Sequence, residues 1–146
     1  MATITNPETF FDAFSDAVYR KDVEAYLDLY DDNVVVFDMW QEWTYDGLPA
    51  WRAMVSGWFS GLGTDRDVVT FRDTKIENAG ELGYVTAVAR FAAVSETGEE
   101  LRFLDNRLTW VIRRSGASGA SWKIIHQHTS GPIDFNTMKV VLKKED

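Results

Sequence analysis

A single carboxylate, Asp38, is embedded in the run Val34 to Trp40, whose β-branched and aromatic residues read as a strand. Side chains alternate across a strand, so Val34, Val36, Asp38 and Trp40 share one face and Val35, Phe37 and Met39 the other. Desolvation raises the pKa of an acid held among apolar neighbours. Such a carboxylate can take a proton from the carbon next to a carbonyl. The alternative pairs Asp38 with a nearby Arg or His, or sets it at a pocket mouth. His126 and His128 are the only histidines, and their spacing predicts one shared face with Trp122 and Ile124. Imidazoles there can shuttle protons or hold a ligand carbonyl; alternatively, one is bonded inside the sheet and one is solvated. Two histidines and a carboxylate can also bind a metal, but this spacing alone assigns none. Asp105, Arg107 and Thr109 fall on one face with Leu101, Phe103 and Val111. A buried Arg needs a partner. For Arg107 that is either a ligand carboxylate or oxyanion, or Asp38 or Asp105. Arg90, among Tyr84, Thr86 and Val88, poses the same question. Trp40 shares the Asp38 face and is the first candidate wall; the other tryptophans read mostly as core or interface. Asp38, His126, His128 and Arg107 are thus the candidate catalytic set, and Trp40, Phe14, Tyr84, Arg90 and Trp122 the candidate ligand-binding set.

The elements that must position these residues begin with Asn6-Pro7-Glu8, a helix start with Pro at the first helical position. Phe10, Phe11, Phe14 and Val18 then recur at helical spacing to about Arg20. Asp22 caps a second short helix with Val23, Tyr26, Leu27 and Tyr30 inward, and Asp31-Asp32-Asn33 ends it. After the Val34–Trp40 strand and an Asp46-Gly47 turn, a third helix runs to Phe59, stopped by Gly61-Leu62-Gly63. The period then switches to alternation. Residues 68–77, 83–95, 100–114 and 121–129 read as four strands, joined by turns that include Ser115-Gly116-Ala117-Ser118-Gly119. The fold class is α+β: a cone-shaped, curved antiparallel sheet with three N-terminal helices enclosing a pocket. One domain spans 1–146, with its core at about 7–132. In the tail, 133–146, Met138 to Leu142 form an edge strand or pack on a neighbouring subunit, and the last four residues are loose.

Composition narrows the function classes. A chain of 146 residues can bury roughly 70% of its unfolded surface without staples. The absence of cysteine excludes disulfides, thiolate metal sites and a Cys nucleophile. A net charge of -8 repels phosphate backbones, so nucleic acid is not an expected partner. No membrane span and no signal peptide are read, so the cytoplasm is the expected location. No G-x-S-x-G elbow and no complete nucleotide loop is present, and no cofactor is expected. Trp110 and Ile112, opposite the Arg107 face, need covering, which suggests a homodimer through the outer face of the sheet.

The order helix, helix, strand, helix, four strands resembles the cone-shaped fold of nuclear transport factor 2, the ketosteroid isomerases and the polyketide-cyclase-like (SnoaL-like) proteins. The segment from Asp22 to Asp38 is similar to the ketosteroid isomerase stretch that ends at the general base, which aligns that base with Asp38. Trp122-Lys-Ile-Ile-His126-Gln-His128-Thr-Ser130 is similar to the last strand of the calmodulin-dependent kinase II association domain. The resemblance implies a hydrophobic small molecule in the pocket. It also implies a cofactor-independent isomerase, cyclase or dehydratase or, alternatively, a non-catalytic ligand-binding or association module. The isomerases' oxyanion-binding Tyr falls near Phe14, which cannot donate, and their second donor has no clear counterpart around Arg107-Leu108-Thr109.

Overall fold

The computed structural model describes residues 3–115 and 121–146, so most of the expected 115–119 turn lies outside the described residues. Helix α1 (Thr9–Arg20) buries Phe10, Phe14, Ala17 and Val18, the stripe expected from their spacing. Lys21 closes it in the left-handed conformation (φ 56°). The Asp22 carboxylate then accepts from the Ala25 N–H at 3.0 Å and starts α2 (Val23–Leu27). Strand β1 (Tyr30–Phe37) begins four residues earlier than the apolar run suggests, so Asp31-Asp32-Asn33 belongs to the strand and does not end a helix. The two-residue β2 (Tyr45–Asp46) leads through Gly47 (φ 89°) into α3 (Leu48–Gly61), which has Pro49 in its first turn.

Four long strands follow: β3 (Arg66–Ala79), β4 (Leu82–Val94), β5 (Glu100–Ser115) and β6 (Ser121–Ser130). The sheet order is β2-β1-β6-β5-β4-β3, with only β1 and β6 parallel. This six-stranded sheet is curved and unclosed. Its inner face packs on α1 and α3 around Trp51, Trp110, Phe10 and Phe14. Trp110 and Ile112 are fully buried on that inner face; the rings of Phe10, Phe11 and Phe14 lie 5.6–5.7 Å from the Trp110 ring. The chain's own first helix therefore covers them, and no second subunit is needed to do so.

A bulge in β6 decides which residues reach the interior. Ile112 pairs with Ile124 but Val111 with His126, so Ile125 is an extra residue and the alternation slips by one. Trp122 and Ile124 point inward before the bulge, Gln127 and Thr129 after it.

The tail is tied to its own chain. Ile133 bridges Val140, the Asp105 N–H donates to Leu142 O at 2.6 Å, and the Lys144 N–H donates to the Asp105 carboxylate at 2.7 Å. Arg72 binds Asp105, the Lys144 carbonyl and Asp146. The last residues are anchored rather than loose: they run beside β5 where β6 has ended. Among the described residues no helix is long and apolar enough to cross a membrane.

Candidate functional site

Between the inner face of the sheet and α3 lies a cavity of about 860 Å³. Its walls are largely aromatic and aliphatic, with Phe14, Trp51, Trp58, Phe91 and Leu108 prominent. Its volume falls in the range common for small-molecule sites. Phe14 is 1% exposed, with its ring 5.0 Å from Tyr26 and 6.3 Å from Phe91. Trp40 stands at the rim, 46% exposed.

Asp38 lies one residue past the end of β1 and lines this cavity. Its Oδ1 accepts from Thr129 Oγ1 at 3.0 Å, and its Oδ2 from the Trp40 N–H at 3.3 Å. Thr129 Oγ1 in turn accepts from the Met39 N–H at 3.0 Å. Among the described residues no Arg, Lys or His pairs with Asp38. Burial pushes the Asp38 pKa above its ordinary value, against the hydrogen bonds from Thr129, Trp40 and Met39. The carboxyl is therefore held by neutral donors beside a cavity, with no counter-ion.

Hydrogen-bonding groups surround it. Gln127 Oε1 accepts from Tyr30 Oη at 2.6 Å and from Trp110 Nε1 at 2.8 Å. These bonds fill its two lone pairs and leave the amide nitrogen without a protein partner among the described residues. Tyr30 and Tyr26 hydroxyls are 2.8 Å apart. Tyr30 has one hydroxyl proton. Committed to the shorter contact with Gln127, it leaves Tyr26, a cavity residue, to donate to the Tyr30 oxygen or to a ligand. Burial raises the pKa of both phenols, so both stay protonated donors. Asn106, 7% exposed, also lines the cavity; its Nδ2 reaches only Met39 Sδ, at 3.6 Å, and its buried Oδ1 has no partner. Trp51 Nε1 is the other buried, unpartnered side-chain atom among the described residues, again on a cavity residue.

The structure brings Asp38, Trp40 and Phe14 to the cavity and separates the other candidates from it. The β6 bulge turns His126 and His128 to the outer face, away from the side of Trp122 and Ile124. There Phe37 lies 4.8 Å from the His126 ring and 5.6 Å from the His128 ring. His126 Nδ1 donates to Val35 O at 2.7 Å. Arg107 is also on the outer face, exposed, and donates to Ser130 Oγ at 3.2 Å, so it pairs with neither Asp38 nor Asp105. Asp105 is held by Arg72 instead. Arg90 pairs with Glu100 and lies 4.0 Å over the Phe103 ring. Tyr84, 40% exposed, shares that outer face. Trp122 is buried in the core under Arg114 rather than in the cavity wall. Strict alternation, applied through an unseen bulge, put the histidines inside. On β5 the same alternation grouped Arg107 correctly with Asp105, but gave no sign of which face was inner. Sequence reasoning missed Gln127, Thr129, Asn106 and Asp67 as cavity residues. The one available signal was the polar pair Gln127 and Thr129 interleaved with the histidines. Among the described residues no group of three His, Cys, Asp or Glu could hold a metal ion.

A sheet cupped over helices around one apolar cavity defines a class of fold, and comparison with known proteins gives the family. The SnoaL-like domain matches residues 8–134, and the chain belongs to that family. No curated protein matches the chain. Among solved structures it is similar to an NTF2-like protein of unknown function from Pseudomonas putida: TM-score 0.81, 24% identity, covering 96% of this chain and 94% of that one. It is also similar to a protein from Xanthomonas campestris named for the calcium/calmodulin dependent protein kinase II association domain (TM-score 0.71, 14% identity, 89% and 91% covered). A third likeness is to a ketosteroid isomerase-like protein from Erwinia carotovora (TM-score 0.63, 16% identity, 84% and 91% covered). At these identities the likeness establishes the fold alone.

Proposed function

We propose that this SnoaL-like protein binds a largely apolar carbonyl compound in the cavity and transfers protons on it without a cofactor, with Asp38 as general base. The observation that carries the reading is Asp38 itself: a half-buried carboxylate at a cavity wall, held by neutral donors, with its pKa raised by partial desolvation. Such a base removes a proton α to the carbonyl, and the electron pair moves onto the carbonyl oxygen to form an enolate. The Tyr26 hydroxyl and the Gln127 amide nitrogen, with Asn106 Nδ2 and Trp51 Nε1 also at the cavity, are the donors that oxygen could meet. Return of the proton to another carbon gives isomerisation, attack of the enolate on a second carbonyl gives cyclisation, and loss of a β-hydroxyl as water gives dehydration. His126, His128 and Arg107 have no part in this reading, because they face away from the cavity.

The test is exchange of an enolisable proton. Flavanone in D₂O carries protons at C3, next to its carbonyl, and NMR follows their loss. The proposal requires exchange above background with the protein and background exchange with Asp38→Asn.

A second reading, a non-catalytic association module, is favoured by the outer face, where Phe37, beside His128, and Tyr84, across β5 in the row of Val111 and His126, are 39% and 40% exposed. In either reading two copies pair through this face in the cytoplasm. Light scattering of Phe37→Asp tests it: a dimer that becomes a monomer supports pairing, and a monomeric wild type removes it.

A further inference from the structure

The cavity has a second polar end. Asp67 on β3, Ala93 on β4 and Arg102 on β5 form one cross-strand row, and all three line the cavity. Arg102 stands four residues along β5 from Asn106, about 13 Å of extended strand. Trp58 Nε1 donates to Asp67 Oδ2 at 2.9 Å and fixes the carboxylate. Oδ1 has no protein partner among the described residues, although Asp67 is only 9% exposed. Nor has the Arg102 guanidinium an ion-pair partner among them. Burial raises the Asp67 pKa, and Trp58 and Arg102 oppose that rise. A buried carboxylate without a direct cation is costly, and the fold gains little from one on a wall shared with Phe91, Leu104 and Met54.

We propose that Asp67, Trp58 and Arg102 form a distal subsite for a hydroxyl group on the ligand. Its proton goes to Asp67 Oδ1, and its oxygen accepts from Arg102. A ligand carboxylate would meet Asp67, and an ammonium would meet Arg102; a hydroxyl satisfies both groups because it donates and accepts. The inference rests on the cavity reading above and adds the substrate class: an extended apolar carbonyl compound with a hydroxyl at the end remote from its carbonyl.

The test compares flavanone with 4′-hydroxyflavanone, by tryptophan fluorescence titration of the full chain, in the wild type, Asp67→Ala and Arg102→Ala. Arg102 is exposed, so its variant keeps the fold even if loss of the Trp58 acceptor weakens Asp67→Ala. The expected result is wild-type binding about tenfold or more tighter for the hydroxylated probe. That preference falls to about threefold or less in both variants. Equal wild-type affinities, or a preference that survives Arg102→Ala, overturn the subsite. If flavanone still binds and exchanges its C3 proton in that case, the proposed function stands without the subsite. If neither probe binds the wild type, both fall for this ligand class.

Discussion

Thr129 Oγ1 lies 3.0 Å from Asp38 Oδ1 and accepts the Met39 N–H, so one hydroxyl joins the end of β1 to the end of β6 and orients the carboxylate at the cavity wall. Thr129→Val removes a donor to the acid and strands a backbone N–H. Loss of stability of about 1–3 kcal/mol is expected, measured by urea unfolding. The Asp38 pKa should rise further, because a bond that lowers it is gone. The acid limb of the exchange–pH profile should therefore move to higher pH.

Asp38→Asn should lower flavanone exchange by about 10²–10⁴-fold while leaving flavanone affinity within about threefold. In the wild type, exchange should fall as pH drops through a value above the ordinary 3.8, since the base works ionised. Stability follows the same sign. The folded-state pKa is raised, so between 3.8 and the folded value the native chain binds more protons than the unfolded one. Wild-type stability is therefore lost as pH rises through that window. Relative to Asp38→Asn, the wild type should gain stability on acidification, as paired urea melts across pH will show.

His128→Ala and Arg107→Ala should leave exchange within about twofold of wild type, because both side chains lie on the outer face of the sheet. Phe14→Ala should cost about 3–5 kcal/mol by thermal or urea unfolding, since a fully buried ring in the cavity wall is removed.

The tail anchor is testable through Asp105. Burial pushes its carboxyl up, but Arg72 and the Lys144 N–H outweigh that, and its pKa falls below 3.8. Its contribution is present above 3.8 and is lost as pH falls through the lower folded value. Asp105→Ala should destabilise the protein by about 1–3 kcal/mol at neutral pH and free residues 140–146 to rapid hydrogen exchange, with the gap closing in acid. A tail that stays protected would show that other contacts hold it.

Local signals carried far in this chain. The Asp22 cap, the Phe10–Phe14–Val18 stripe and Pro49 after Gly47 are short-range features whose physics lies within a few residues, and they mark the helices where they stand. The long alternating runs mark β3 to β6 for the same reason. Asp38 was legible as an acid at the end of an apolar strand, although β1 stops at Phe37, one residue short of it. The remaining polar groups at the cavity were not, because the Ile125 bulge that turns Gln127 and Thr129 inward is a property of pairing with β5 and has no local signature. Asp67 and Asn106 were hidden for a related reason: alternation sorts a strand into two faces, but which face is inner depends on where α1 and α3 pack. The tail was ambiguous because Leu142 and Lys144 are anchored by an Asp105 lying some 40 positions earlier.

Titration of Asp38 by carboxyl carbon NMR, with Asp38→Asn to assign the signal, tests most directly whether this acid is a base poised at a ligand cavity. The predicted result is a pKa above 3.8 in the free protein, and a further rise when flavanone enters and excludes water from the carboxyl. A pKa at or below 3.8 that does not respond to the ligand would contradict it, and would leave Asp38 as a structural cap on the end of β1.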